Sequence, residues 1–502
     1  QQQLQQQQRQ QQLLQQRQQL LQQQQQQRQQ QLLQRQQQLQ QRQSAGRGVT
    51  NAQSGTAQPN NAGAATRAGS ANSASSAQTR ATASGSTAVG RSGATGRGAV
   101  ATTGATRDAG NGIRVANLNT NQGPSGPPVP SRTFLGHPGP AGSREVQARN
   151  GNIVRTAADG TVMDVRSPRN GMSIHHGLDG SRRISVDRPD HSRIVAASRG
   201  TQYVQHPYTF RGSTYDHRTF YSQGRTTHQF YRPYNYAGTT MDVYAPSHYY
   251  SPEFYQWATT RFSAPVRYNW GYTSTPTPWF GYYKGYFTPE TSYPSPESWL
   301  ADFVLAASLS SSYSAEQPKS QAPAAGAAAV TPEVKQKVAD EVKRQVHQES
   351  AEARQNSESK EPHAGSGSVV EELGDHEHHT YVVAADLDLV DPSGRRCMIS
   401  EGDVVEVVSQ AKSSSSTADA IVLASKGGVE CERSARVEIA LNDLQEMQNH
   451  MRATIDQGMA STDRGKQAPT VTPAFAASAP PPDPNAAREI DQEQQIAAAA
   501  EG

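Results

Sequence analysis

Residues 144–244 carry the clearest pattern of apolar and polar positions in the chain. Short runs such as "GTVMDVR" and "RRISVD" alternate between the two classes, which is typical of half-buried β-strands. Asn-Gly and Asp-Gly dipeptides separate the runs and supply the positive φ angles of tight hairpin turns, at Gly151, Gly160, Gly171 and Gly180. The pattern predicts an antiparallel β-meander of eight to ten strands over residues 144–244.

Aromatic residues are concentrated in the second half of this meander and just after it. In "STYDHRTFY", Tyr215 and Tyr221 fall on one face of a strand, where cross-strand ring pairs stabilise a sheet. Neither face is purely apolar, so we also expect many rings to stay partly exposed, and stacking on bases or sugars is the alternative role for such rings. The candidates for this ring surface are Tyr215, Tyr221, Tyr231, Trp257, Trp270 and Trp279.

Two segments with different patterns follow the meander. Residues 245–313 mix Tyr, Trp and Pro without a period, which predicts an irregular segment that ends in a short helix over residues 296–309. Residues 314–375 read as a linker that contains an amphipathic helix over residues 332–354. That helix has Thr331 as its cap and a narrow stripe of valines spaced by four, at Val334, Val338, Val342 and Val346.

Residues 376–459 have the pattern of a small globular module. Five short apolar runs and a final helical run predict an SH3-like β-barrel closed by a helix, with Asn442 as the helix N-cap. The buried face of that helix is expected to carry Leu444, Met447, Met451 and Ile455. Residues 460–502 return to Ala and Pro, which predicts a disordered tail.

The amino-terminal part has no globular pattern. Residues 1–43 are almost entirely Gln, Leu and Arg, and leucines spaced by seven or eleven favour a helix that self-associates as a coiled coil through residues 4–39. A solvated Gln tract is the alternative interpretation. Residues 44–143 predict a disordered Gly, Ser, Ala and Thr linker. The expected fold class is therefore mostly β with large disordered regions.

Charge is distributed unevenly along the chain. Eleven arginines and no acidic residue precede Asp108, although the formal net charge of the whole chain is only +3. A uniformly cationic segment of this kind favours an anionic polymer as its partner. The first residue is Gln, so we expect a terminus that is processed, as by removal of a signal peptide, or truncated. No apolar run is long enough to predict a transmembrane helix.

The two cysteines, Cys397 and Cys431, both lie in the carboxyl-terminal module. Their placement predicts a disulfide, which would stabilise a small core in an oxidising compartment. Two buried free thiols in a reducing compartment are the alternative. A disulfide would therefore favour an exported protein of the periplasm, outer surface or extracellular space.

Several segments together carry a resemblance to other proteins. "RYNWGYTSTPTPWFGYYKGYFTP", "SWLADFVLAASL", "TPEVKQKVADEV" and "DLQEMQNHMR" occur in this order between Arg144 and Met459. In this respect the chain resembles a group of uncharacterised bacterial envelope proteins with a Gln-rich start. The resemblance implies export and a similar architecture, and it brings no activity or cofactor with it.

One short stretch, "GDHEHH", has metal-ligand character. His376, His378 and His379 lie beside Asp375 and Glu377, and imidazoles two positions apart on a strand point the same way. Because the stretch lies at the edge of a linker, solvated histidines are the favoured interpretation, no metal site is predicted, and His376, His378 and His379 are only a weak candidate for one. The neighbouring pair at residues 175–176 would face opposite sides of its strand.

No nucleophile elbow, zincin helix, phosphate loop or dinucleotide fingerprint occurs in the sequence, so no catalytic residue and no cofactor is predicted. The leading hypothesis is a non-catalytic, exported envelope protein that acts in structure, adhesion or scaffolding and binds a protein or an envelope polymer. A nucleic-acid- or polyanion-binding protein of the cell interior is the first alternative, with the arginine-bearing start and the Arg- and Tyr-rich sheet as its binding surfaces. A divergent enzyme is the second.

Overall fold

The structure is a computed structural model that describes residues 142–501, apart from residues 199, 223 and 276 and the segments 317–326, 359–364 and 409–415. The tract predicted over residues 1–43 and nearly all of the linker over residues 44–143 lie outside the described residues. Among the helices in the described part, none is both long enough and apolar enough to cross a membrane.

The meander forms as predicted, as one antiparallel sheet of ten strands in chain order. Gly171 shows why glycine is needed at these turns: its φ is 61°, and an added Cβ would lie 2.3 Å from the carbonyl oxygen of Asp187. The strands are β1 (Arg144–Gln147), β2 (Ile153–Thr156), β3 (Val162–Ser167), β4 (Met172–His176), β5 (Arg182–Asp187), β6 (Arg193–Ala197), β7 (Tyr203–Phe210), β8 (Ser213–Ser222), β9 (Arg225–Tyr236) and β10 (Thr239–Ala245).

The segment after the meander is more regular than predicted, because its aromatic residues pack between short helices. It contains β11 (Tyr249–Tyr250), α1 (Pro252–Ala258), β12 (Val266–Arg267), α2 (Gly271–Ser274), α3 (Pro278–Tyr283), β13 (Ser292–Tyr293) and α4 (Pro296–Glu316). Helix α4 therefore extends beyond the predicted residues 296–309. The rings of Trp270 and Trp299 stack with their centroids 5.7 Å apart.

The amphipathic helix predicted over residues 332–354 is present as α5 (Pro332–Ser357). The Thr331 side chain accepts a hydrogen bond from the Val334 N–H at 3.4 Å, which is the predicted cap. All four valines of the predicted stripe are buried. The stripe packs into a shared core with α4 and the carboxyl-terminal module.

The predicted SH3-like barrel is wrong, because the described strands of the module form no closed barrel. An open antiparallel sheet has the order β14 (His379–Val382), β17 (Val404–Val407), β18 (Thr417–Ala424) and β19 (Arg436–Ala440). β15 (Leu387–Val390) and β16 (Arg396–Ile399) form a separate hairpin. Helices cover the sheet instead of further strands, since α5 packs on β14 and β19 continues directly into a helix.

That helix is α7 (Leu441–Ser461), and a four-residue helix, α6 (Val369–Glu372), precedes the module. The predicted Asn442 cap is wrong, because Ala440 occupies the N-cap position and Asn442 lies inside the first turn. The buried face is as predicted, with Leu444, Met447, Met451 and Ile455 at most 1% exposed. Cys397 and Cys431 form the predicted disulfide.

The prediction that residues 460–502 form a disordered tail is wrong for the residues of this segment that the structure describes. It forms α8 (Asp463–Gln467), β20 (Thr470–Val471), α9 (Ala474–Ala477) and α10 (Ala486–Glu501). β20 pairs with β11, and α10 packs Ala486, Ile490 and Ala497 onto the apolar face of the meander. Arg188 of the meander bonds Glu489 and Glu493 of α10 at 2.6 and 2.9 Å, which fixes the helix in place.

Candidate functional site

The structure separates the three histidines that the sequence places together. His376 and His378 are exposed, and His376 has a φ of 69° in a turn. His379 begins β14 and is only 1% exposed. The three histidines of the weak candidate site therefore do not converge, and His379 instead meets side chains from other elements.

His379 lies between two glutamates of different helices. Its Nδ1 is 3.1 Å from Oε2 of Glu341 in α5 and 4.0 Å from Oε2 of Glu372 in α6. The three side chains offer ligand atoms that all lie within 4.8 Å of one another. The Nε2 atom of His379 faces the carboxylate of Asp375 at 3.1 Å. We call Glu341, Glu372 and His379 the acid–histidine cluster.

Polar side chains surround the acid–histidine cluster and hold both carboxylates. The Gln345 amide donates to Oε1 of Glu341 at 2.7 Å and to Oε1 of Glu372 at 2.8 Å. The Tyr381 hydroxyl donates to Glu372 at 2.9 Å, and the Gln448 amide donates to the same carboxylate. The Arg344 guanidinium donates to Glu341 at 2.6 Å. Each carboxylate is thus fixed in one orientation.

Burial and charge together shift the pKa values in this cluster. Burial, with the nearby charge of Glu341, raises the pKa of Glu372 to about 7. Burial alone would lower the pKa of His379, but the hydrogen bond and charge of Glu341 outweigh it and raise that pKa to about 9. Hydrogen bonds from His379 and Arg344 lower the pKa of Glu341 against the opposing effect of burial.

The two glutamates of this cluster could not be found by looking for neighbouring ligands in the sequence. One signal was present, because Glu341 sits next to Val342 on the helix face that carries the valine stripe. An acid at such a position is buried, as Glu341 is, and needs compensating partners. The identity of those partners depended on the tertiary fold.

A second polar feature lies where the meander meets the carboxyl-terminal module. A small cleft with a volume of about 30 Å³ has a basic wall from β5 and an acidic wall from the module. Its charged lining residues are His175, Arg182, Arg183, Asp386, Asp388 and Glu401. The cleft has room for little more than water molecules, and its charged side chains include Arg182 and Asp388, which already pair with Glu501 and Arg396.

The histidine pair at residues 175–176 lies beside this cleft. His175 Nδ1 is 2.7 Å from Asp164 of β3, and His175 Nε2 is 3.7 Å from Asp388 of β15. His176 points to a different partner, Glu501 of α10, at 2.9 Å. The two side chains therefore have separate partners, as expected of neighbours on a strand.

The residues predicted to form a ring surface do not share one exposed face. Tyr215, Tyr231 and Trp270 are buried, whereas Tyr221, Trp257 and Trp279 are half-buried. The ring of Tyr215 stacks on Phe475 from the tail at a centroid distance of 4.5 Å. The rings act mainly as packing elements, because the tail and the neighbouring helices cover much of the surface they would have presented.

The Arg and Tyr pattern of the sheet has a structural explanation as well. Arg218 is 1% exposed and pairs with Asp242 and Glu446, each at 2.7 Å. Its guanidinium lies over the rings of Tyr203 and Tyr231, 4.4 and 3.9 Å from their centroids. The charge of Arg218 is therefore paired with carboxylates of the protein, and the rings of Tyr203 and Tyr231 contact its guanidinium.

A buried pair of acids lies between α5 and α7. Burial raises the pKa of Asp456 to about 6, and burial with the charge of Asp456 raises that of Glu349 well above its usual range. The Tyr255 hydroxyl donates to Glu349 at 2.8 Å, and His248 lies 3.3 Å from Asp456. The folded state therefore retains protons on these acids at a pH where the unfolded chain has lost them.

Asp456→Asn is expected to reduce the dependence of stability on pH. Between about pH 4 and 6 the folded wild type binds more protons at Asp456 than the unfolded chain, so its free energy of unfolding falls as pH rises, by up to about 3 kcal/mol. Urea unfolding from pH 4 to 7 measures both slopes, and the exposed Asp340→Asn variant is the control. Equal slopes for wild type and Asp456→Asn would contradict the assignment.

Comparisons with protein-family models, with curated proteins and with solved structures found no match to this chain.

Proposed function

We propose that this chain is a non-catalytic, exported envelope protein that acts as a scaffold and holds an anionic envelope polymer. The observation that carries the proposal is the disulfide between Cys397 and Cys431. Disulfides persist in oxidising compartments and are rare in the cytosol. The bond closes a module that is packed with the meander and its covering helices, so the whole described body suits an extracytoplasmic setting.

The polymer-binding part of the proposal rests on the arginines between Arg9 and Arg107. Eleven guanidinium groups with no acid among them attract phosphate- or carboxylate-bearing polymers. The folded body uses its own buried arginines differently, since Arg218 and Arg452 are paired with internal carboxylates. This division of charge favours capture of polymer by the amino-terminal segment and a structural role for the folded body.

A non-catalytic role is supported by the way the titratable groups are used. The carboxylates of Glu341 and Glu372 accept hydrogen bonds from fixed donors of the protein, and His379 is held between acids. Groups held in this way stabilise structure. A general base or a nucleophile needs to reach a substrate.

Nucleic-acid binding by the Arg- and Tyr-rich sheet is less well supported. Stacking on bases requires exposed rings beside free guanidinium groups. Tyr215 and Tyr231 are 2% exposed, and Arg218 is engaged on both sides by carboxylates. A nucleic-acid partner would therefore have to be held by the same amino-terminal arginines.

The test is co-sedimentation of the full chain with purified, insoluble cell-envelope material at graded salt. We expect binding to weaken steeply with salt, and we expect loss of binding when the eleven arginines from Arg9 to Arg107 are changed to Gln. The matched control changes the same residues to Lys, which keeps the charge and should keep binding. Binding that ignores salt, or that survives the Gln changes, would contradict the polymer assignment.

Localisation needs its own measurement. Protein purified from its native host under alkylating conditions should show no free thiol until reductant is added. Two alkylated cysteines in the native sample would refute export and would redirect the salt-dependent binding experiment to nucleic acid.

A further inference from the structure

We propose that Glu341, Glu372 and His379 bind one divalent first-row transition-metal ion, such as Zn²⁺, with Gln345 as a fourth ligand. Within the described part of the chain, this is the group of three acidic or histidine side chains whose ligand atoms converge within 4.8 Å. One imidazole nitrogen with carboxylate and amide oxygens is a donor set that suits such an ion.

The distances already approach those of a coordination sphere. His379 Nδ1 lies 3.1 Å from Glu341 Oε2 and 4.0 Å from Glu372 Oε2. Metal–ligand bonds of about 2.0–2.2 Å place neighbouring ligand atoms roughly 3–4 Å apart. Side-chain rotations that shorten the longest separation among the three ligand atoms, which all lie within 4.8 Å of one another, would centre an ion between them.

The outer contacts match those of metal-binding histidines and carboxylates. The Nε2 side of the His379 ring faces Asp375 at 3.1 Å, which leaves Nδ1 directed at the two glutamates. A carboxylate on the far nitrogen is the usual means of fixing the tautomer of a metal ligand. Tyr381 and Gln448 hold Glu372 in the same way.

Gln345 provides an independent observation. It is 2% exposed, and its Oε1 atom has no hydrogen-bond partner although it is buried. Its Nε2 faces both glutamates at 2.7 and 2.8 Å. Because the amide oxygen and nitrogen can exchange places by a half-turn of the side chain, the same position can present an oxygen to a cation. After this half-turn the amide oxygen would bind the ion in place of the two donations to the glutamates, and the amide nitrogen would occupy the position where the oxygen now has no partner.

The local charge fits a divalent cation. When all three are ionised, the carboxylates of Glu341, Glu372 and Asp375 carry three negative charges, and the Arg344 guanidinium, 2.6 Å from Glu341, carries one positive charge. Binding displaces the Nδ1 proton of His379 and any proton held by Glu372, and these protons leave to solvent. The remaining charge of −2 is then balanced by an M²⁺ ion, so the buried group reaches neutrality.

The experiment is calorimetric titration of the chelator-treated full chain with Zn²⁺, with native mass spectrometry to count bound ions. We expect one ion per chain at micromolar or lower dissociation constant, and at least a 100-fold loss of affinity in His379→Gln and Glu372→Gln. Gln345→Leu is a milder change and should lower the affinity for Zn²⁺ about tenfold. His376→Gln and His378→Gln are matched controls and should bind as the wild type does.

Circular dichroism establishes that each variant is folded before its titration is interpreted. The wild type alone decides the outcome if the cluster variants do not fold, because a wild type that binds less than one Zn²⁺ per chain overturns the proposal. It is also overturned if folded His379→Gln keeps full affinity. Loss of binding in His376→Gln or His378→Gln instead would assign the ion to the exposed histidines and would equally refute the buried site.

Discussion

Changing both Cys397 and Cys431 to serine is expected to lower the free energy of unfolding by about 4 kcal/mol. The bond closes a loop between positions separated by 34 residues, and its removal lets the unfolded chain explore many more conformations. The segment around Cys431 keeps two backbone hydrogen bonds to Met398, so the module should remain folded at room temperature. Urea unfolding monitored by circular dichroism measures the loss.

Reduced wild type is the matched control for this prediction. With dithiothreitol present, it should unfold at the same urea concentration as the double serine variant, because both lack the cross-link. Oxidised wild type should unfold at a clearly higher concentration. If the oxidised and reduced proteins unfold together, the bond does not contribute to stability and the argument for an oxidising compartment loses its physical support.

Arg218→Met is expected to destabilise the protein by about 3–5 kcal/mol, because it removes the nearest counter-charge of the buried Asp242 and leaves only Arg193, at 3.6 Å, as a cationic partner. Asp242 is 7% exposed and accepts from Arg218 at 2.7 Å. Gln205 and the rings of Tyr203 and Tyr231 also lose a partner. Thermal and urea unfolding measure the effect.

Two further variants separate the ion pair from simple loss of packing. Arg218→Met combined with Asp242→Asn removes both charges and should recover part of the lost stability. Arg211→Met changes an exposed arginine in the turn between β7 and β8 and should lower the free energy of unfolding by less than about 0.5 kcal/mol. A small effect of Arg218→Met alone would mean that the guanidinium is free for a ligand, which would reopen the nucleic-acid hypothesis.

The meander was predictable because each of its strand pairs is determined by residues that lie close together in the sequence. Glycine at Gly151 or Gly171 determines a turn, the turn determines the register of its two strands, and each strand pairs with the next in the chain. Helix α5 was predictable for the same reason, since the Thr331 cap and the valine stripe lie within a few turns of one another.

Features that depend on distant segments were not predictable in this way. The tail contains few large apolar residues, and its order comes from a sheet that lies 301 residues earlier in the chain, as the pair of Arg188 and Glu489 shows. The prediction of a barrel was wrong because the number of strands does not determine how the edges of a sheet are covered. The acid–histidine cluster draws one residue from each of three elements, so only His379 was visible to a search for neighbouring ligands.

The covering of the meander by α10 has a consequence for how the protein matures. Hairpins between neighbouring strands can form as the polypeptide emerges during synthesis, but Ile174 and Ile184 stay uncovered until residues 486–501 are available to pack on them. For the intervening 300 or so residues, the nascent sheet presents an apolar face. An apolar face exposed over that interval favours aggregation, and a chaperone bound to it would protect the incomplete sheet.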